Sequence, residues 1–310
     1  MNFKIPTLAF LLSFLFASLS LSAQKTTTLS EAQLAFKKGM EFFDGKVFGL
    51  AQNEFRKTIE LLLPVNEPEA KLLKQKAELN FAKCAVKLGQ PEGENLIIEF
   101  ARKNQPDPIA NEALLDIANF YFNDKKFDKA MILYASIDTY ALPSNQRSEV
   151  VFKIAYLNFI KKKFSLAKSQ FRSIKDIQND YYYPANYYYG MCNFFIKKYA
   201  DAISSFQKAS GSKRYKPYVP YYITSIYFAE RDFSKVINYG VSKTEDRKVK
   251  NQADINRLVG RAYFEEGEFS MAKKYLEFAS KRVKKMDASD YYQLGFVQYQ
   301  SNEYTKAIKN

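Results

Sequence analysis

YYYGMCNFFIKKYADAISSFQKA, residues Tyr187–Ala209, carries the reading of the fold. Gly190 stands among large apolar residues at helical spacing, Tyr187, Met191 and Phe194. After Lys197 and Lys198, the residues Tyr199, Ala202, Phe206 and Ala209 continue at three- and four-residue steps. Such spacing describes one face of a 3.6-period helix on either side of a short turn. The same arrangement recurs along the chain. A small residue appears at Gly39, Ala82, Ala118, Ala155, Gly190, Thr224, Gly260 and Gly295, at intervals of 43, 36, 37, 35, 34, 36 and 35 residues. Nine residues after it stands an aromatic in most copies: Phe48, Phe127, Phe164, Tyr199, Phe233, Phe269 and Tyr304. Three further on comes alanine, at Ala51, Ala130, Ala167, Ala202, Ala272 and Ala307, and then a large residue at Phe55, Tyr134, Phe171, Phe206 and Leu276. A fixed period with helical spacing inside it predicts a stack of helix–turn–helix units.

These residues resemble the tetratricopeptide repeat, a family with a 34-residue period. There the small residue of the first helix and the alanine of the second let the two helices approach closely. The resemblance covers roughly Leu29 to Asn310 and implies an all-α fold, a right-handed superhelical solenoid of about eight units with the last incomplete. The approximate repeats are 31–64, 69–106, 110–143, 147–180, 183–213, 217–244, 252–284 and 288–310. Two copies depart from the pattern. The second has Glu94 where alanine is expected and Pro91 in its turn; the sixth has Val236 and then Gly240, which predicts a short or displaced second helix. The 43-residue first interval implies a longer second helix and a loop at Pro64–Pro68. Prolines at 64, 68, 106, 108, 143, 184, 217 and 220 read as lying between repeats, where they spare a helix interior a cost of about 3 kcal/mol. The eighth copy stops at Asn310, early in its second helix. A solenoid end normally carries a polar capping helix, so the expectation is a longer array.

The 310-residue chain has no histidine and no tryptophan, two cysteines, and a formal charge of +14. Without histidine there is no His-based triad, imidazole base or His-liganded zinc. Phosphate loops, GxSxG elbows, HExxH and EF-hand patterns do not occur. The carboxylates Glu265, Glu266 and Glu268 flank Gly267 in a turn and read as solvated. Cys84 and Cys192 fall three repeats apart, too far for a disulfide in a stack with helices 8–10 Å apart, and read as buried thiols. The expectation is a protein that is not an enzyme and takes no cofactor and no metal.

At the N-terminus, Lys4, an apolar run from Leu8 to Leu21 and then Ser22 and Ala23 have the order of a secretory signal peptide, residues 1–23. The run is shorter than the roughly 20 residues that span a bilayer. Its Ser-Ala-Gln ending resembles that of exported proteins of the Bacteroidota. The expected location is the periplasm or envelope of a Gram-negative bacterium, with no membrane span after cleavage.

Charge is concentrated. Residues 144–250 hold 20 basic and 8 acidic residues and 14 of the 23 tyrosines. Lys125, Lys126, Lys161, Lys162, Lys163, Lys197, Lys198 and Arg231 all fall in turns between paired helices, so stacking would align them into a basic ridge. Such a ridge solvates the turns or attracts an acidic partner. In the tetratricopeptide family the first helices line a concave groove, which here implies Phe152, Tyr156 and Phe159, then Tyr187, Met191 and Phe194, then Tyr221 and Phe228, with Ser225 beside them. Copy seven supplies Arg257, Arg261 and Phe264. The family's lysine and asparagine clamp on a peptide carboxylate is missing, since only Lys83 and Asn119 match it. The implied function is a non-catalytic scaffold that binds a peptide or helix in an aromatic groove flanked by cations. The alternatives are an anionic envelope polymer or glycan bound on the basic tyrosine-rich face, and a repeat region serving an activity further downstream. Basic residues among aromatics also suit single-stranded nucleic acid, but export argues against that partner.

Overall fold

Seven residues after each small position the backbone turns left-handed. The computed structural model describes residues 27–309; the proposed signal segment lies outside the described residues. Lys46, Lys125, Lys162, Lys197, Arg231 and Asn302 have φ of 58–61°, and Gly89 and Gly267 have φ of 71° and 79°. In the turn at Lys162, the Lys162 N–H donates to Phe159 O and the Lys163 N–H donates to Asn158 O, both at 2.9 Å. This pair of bonds is the Schellman motif, which satisfies helix-end carbonyls. The same two bonds close all eight turns. The residue after the left-handed one is already the N-cap of the next helix in most copies, as at Lys163 and Lys198. A three-residue turn therefore ends one helix and starts its partner.

A ring pair clamps most of these turns. The aromatic four residues after the small position meets the one nine after it in Phe43–Phe48, Phe122–Phe127, Phe159–Phe164, Phe194–Tyr199, Phe228–Phe233, Phe264–Phe269 and Tyr299–Tyr304, with ring centroids 5.4–6.4 Å apart. Edge-to-face and tilted pairs at this distance add about 0.5–1.5 kcal/mol beyond area burial.

The helices divide into two compact units, Met1–Leu142 and Pro143–Asn310. In the first, α1 (27–44 among the described residues) pairs with α2 (Phe48–Leu61), α3 (Pro68–Lys87) with α4 (Gly93–Asn104), and α5 (Pro108–Asn123) with α6 (Phe127–Ala135). In the second, α7 (Ser144–Ile160) pairs with α8 (Phe164–Arg172), α9 (Tyr182–Phe195) with α10 (Tyr199–Ala209), and α11 (Val219–Ala229) with α12 (Phe233–Thr244). Then come α13 (Gln252–Glu265) with α14 (Phe269–Ser280) and α15 (Ala288–Gln300) with the short α16 (Tyr304–Ala307). Among the described residues all regular structure is helical. Within each unit successive helices pack on one another, and α3 reaches α5, α7 reaches α9, α11 reaches α13 and α13 reaches α15. The expected all-α array of helix–turn–helix units is what the structure shows.

Close approach within a pair explains the small residue. A Cβ added at Gly39 would lie 2.7 Å from the Phe55 ring, at Gly190 2.8 Å from Phe206, and at Gly260 2.8 Å from Leu276. Phe55, Tyr134, Phe171, Phe206 and Leu276 are all fully buried, as are Ala51, Ala130, Ala167, Ala202 and Ala272.

The two departing copies solve the same problem differently. In the second, the close-contact place passes to Gly93, whose Cβ would meet the Val86 backbone nitrogen at 2.9 Å. One residue later, Glu94 accepts a hydrogen bond from the Tyr121 hydroxyl and pairs with Lys129 at 2.6 Å. In the sixth, α12 is not short: it runs twelve residues, the length of α14. Gly240 leaves the space of the large residue open, and Val259 of the next repeat fills it, 2.6 Å from where a Gly240 Cβ would be. The extra residues of the first interval lengthen α2 to 14 residues and α3 to 20, so part of the excess lies in a first helix rather than in the loop. Pro184 and Pro220 fall inside α9 and α11 rather than between repeats, but each lies in the first turn, where no intrahelical N–H is needed.

Candidate functional site

The tyrosine-rich face belongs to the second unit and is built on α7, α9 and α11. Tyr187 stacks on Tyr215 with ring centroids 4.6 Å apart and meets Tyr222 at 6.2 Å. Tyr188 meets Tyr156 and Phe159, each at 5.2 Å, and Phe152 at 5.9 Å. Phe194 meets Tyr222 at 5.5 Å, and Tyr221 meets Tyr222 at 5.2 Å. These contacts run without a break from Phe152 on α7 to Tyr221 on α11, across three repeats.

Burial raises the Tyr187 hydroxyl well above its ordinary value, with the neighbouring Tyr222 phenol adding to it. Burial likewise raises Tyr188, followed by the nearby Tyr156 phenol, while the Arg214 guanidinium pulls the other way. Both phenols are therefore neutral at physiological pH. Arg214 lies 5.6 Å from the Tyr215 ring centroid, a cation at the edge of the aromatic cluster.

The predicted groove residues divide by position. Phe159, Phe194 and Phe228 are half-buried members of the ring pairs that clamp their own turns. Phe152 and Tyr187 lean on the large residue of their own second helix, Phe171 at 5.6 Å and Phe206 at 6.0 Å. Tyr156 and Tyr221 are half-buried against the inter-repeat core. Met191 is different: the structure buries it among Ala202, Phe206 and Ile226, where it fills core rather than presenting a surface. At copy seven, Arg257 and Arg261 are engaged. Both guanidinium groups reach the fully buried Asp290 at 3.3 Å, and Arg261 also reaches Asp287 at 3.4 Å. Lys83 pairs with Asp116 at 2.5 Å, and Asn119 accepts from the Tyr134 hydroxyl at 2.6 Å, so neither forms a carboxylate clamp.

All eight predicted ridge residues are exposed. Lys125 and Lys126 lie in the first unit, the latter paired with Asp124 at 2.8 Å. Lys161, Lys162, Lys163, Lys197, Lys198 and Arg231 lie in the second. Neighbouring turns touch there: Phe164 stacks on Phe195 at 4.6 Å, and Arg231 reaches Glu265 of the next turn at 3.6 Å. Among the described residues, Lys162, Lys163, Lys197 and Lys198 have no carboxylate within ion-pair distance. Lys46 occupies the same left-handed position and escaped the sequence reading; counting seven residues from Gly39 would have found it. Cys84 and Cys192 are buried and free, and burial pushes each thiol up to about 12.

Helix pairs closed by Schellman turns, with a small residue of one helix against a large residue of the other, define a helical repeat protein. Among solved structures it is similar to a tetratricopeptide repeat protein from Parabacteroides merdae, 12% identical over 87% of this chain and 99% of that one, with a TM-score of 0.44. It is also similar to PilF of Pseudomonas aeruginosa, 14% identical over 64% of this chain and 87% of that one, with a TM-score of 0.49. No protein-family model and no curated protein matches the chain. Among the described residues no helix is long and apolar enough to cross a membrane.

Proposed function

We propose that the chain is a non-catalytic interaction scaffold, exported to the periplasm or envelope, that binds a peptide or helix of another protein on the aromatic face of its second unit. The observation that carries this reading is the unbroken run of half-buried rings from Phe152 to Tyr221, flanked by exposed unpaired lysines. Half-buried tyrosines held by neighbouring rings lose little freedom on binding and make good anchors for a partner's apolar side chains. Lys162, Lys163, Lys197 and Lys198 would steer an acidic partner, speeding association in a way that salt suppresses. Residues 1–23 support export by their charge and hydropathy order. A count of eight repeats is part of the same proposal.

Tyr156→Ala and Tyr221→Ala in the purified chain test it by quantitative capture of proteins from an envelope extract, with helicity followed by circular dichroism. The expected result is at least a tenfold loss of capture of the same partner by both variants, at unchanged helicity. Capture equal to the parent chain would overturn the assignment of the face.

A further inference from the structure

A separate cavity of about 800 Å³ opens between the fifth and sixth helix pairs, formed by the ends of α10 and α12 and the start of α11. Its volume falls in the range of small-molecule sites, about 300–1,000 Å³. Four lysines surround it: Lys213 and Lys216 from the α10–α11 loop, Lys243 from the last turn of α12, and Lys248 from the loop that follows. The two loops are joined by the Lys250 N–H, which donates to Pro217 O at 2.8 Å. The lining contains one carboxylate, Asp246, and its Oδ1 accepts the Lys248 backbone N–H at 2.9 Å. Among the described residues none of the four lysines lies within ion-pair distance of a carboxylate. Lys243 rests instead 5.3 Å from the Tyr239 ring centroid.

The rest of the lining includes Gln207 and Ser210 and an apolar part made by Val219, Ile223 and the rings of Tyr227 and Tyr239, which meet edge-to-face at 5.9 Å. Burial, with Tyr227 adding to it, pushes the Tyr239 hydroxyl up to about 12, so it is a neutral hydrogen-bonding group. A cleft lined by four ammonium groups without ion-paired carboxylates carries a positive potential that attracts anions. The cations are all ammonium groups. Lysine binds an anion as a point charge with three rotatable donors, a mode that phosphate accepts.

We propose that this cavity binds a phosphate monoester carried on a sugar or apolar body, with the ester dianion among Lys213, Lys216, Lys243 and Lys248 and the body on Tyr227, Tyr239 and Ile223. The phosphate can belong to a soluble sugar phosphate or to a lipid headgroup, and the two are separated experimentally. Glucose 6-phosphate titrated into the full chain by calorimetry probes the first; cosedimentation with vesicles containing phosphatidic acid probes the second. Each probe is applied to the parent chain, to Lys243→Gln/Lys248→Gln, and to the loop control Lys284→Gln/Lys285→Gln, which removes the same charge from an exposed loop elsewhere in the second unit. The expected result is saturable binding of at least one probe, weakened tenfold or more by the cavity pair and unchanged by the loop pair. Binding of the sugar phosphate assigns the soluble source, and binding of vesicles alone assigns the lipid. Saturation by neither probe, or equal loss in both double variants, would overturn the proposal.

Discussion

The two units share a backbone and differ in what they put on it. Residues 1–142 hold 17 basic and 17 acidic residues, while residues 143–310 hold 30 and 16, so the whole +14 belongs to the second unit. The largest fully buried side chains of the first unit are mostly aliphatic, Leu62, Ile97, Leu114, Ile117 and Leu133 beside Phe55 and Tyr134. In the second, rings spread from Phe171 and Phe206 outward through Tyr188 and Tyr222 to the surface. Yet Lys46 in the first unit and Lys197 in the second have the same φ within a degree and the same two turn hydrogen bonds. The turn rule is architectural and common to both units; the aromatic and cationic face is particular to one.

The largest expected effect tests what is common. Phe55 and Phe206 fill equivalent places against Gly39 and Gly190, so Phe55→Ala and Phe206→Ala should each destabilise their own unit by about 3–5 kcal/mol. Hydrogen-exchange protection resolved by unit measures this, and a large inequality would break the equivalence of the two slots.

Acid separates the units next. In the second unit the Lys175 ammonium holds the Asp176 carboxyl below its ordinary value, the Asp290 N–H does so for Asp287, Lys235 for Asp232 and Lys273 for Glu303. In the first unit Glu94 is also lowered: burial opposes the shift, but the Lys129 and Tyr121 hydrogen bonds outweigh it. A carboxylate whose folded pKa is depressed stabilises the fold above its unfolded value, and that contribution disappears as pH falls through the folded pKa. Acidification from about pH 5 to about pH 2 should therefore weaken the second unit first, because protonation there also adds to an existing excess of positive charge. Protection lost from both units at one pH would contradict this.

The smallest effect is the most discriminating. A non-glycine residue in the left-handed region costs about 1–2 kcal/mol, partly offset because glycine is more flexible when unfolded. Lys46→Gly and Lys197→Gly should each raise stability by up to about 1 kcal/mol, read from urea midpoints. Only Lys197→Gly should slow association with an acidic partner at low salt. Equal slowing by both would place the steering charge in the architecture rather than in the second unit's face.

Much of this was legible in the chain itself. The period, the small-against-large pairs, the buried thiols and the turn lysines follow from residue type at fixed spacing, because short-range helix and turn geometry depends on neighbours a few residues away. Sequence alone did not reveal that Phe159, Phe194 and Phe228 clamp their own turns, that Met191 is core, or that Asp290 engages Arg257 and Arg261. Each depends on a helix rotation of a few tens of degrees, which a repeating pattern leaves open and packing decides. Gly93 and Val259 show the same limit, for they repair the second and sixth copies from positions the repeat does not assign. Lys213, Lys216, Lys243 and Lys248 lie up to 35 residues apart in the chain and form one cavity only because α10, α11 and α12 bring their ends together. The sequence by itself determined the helices, their turns and the sign of the charge; tertiary structure alone decided which rings remain at the surface and which cations meet, since both are set by contacts between repeats.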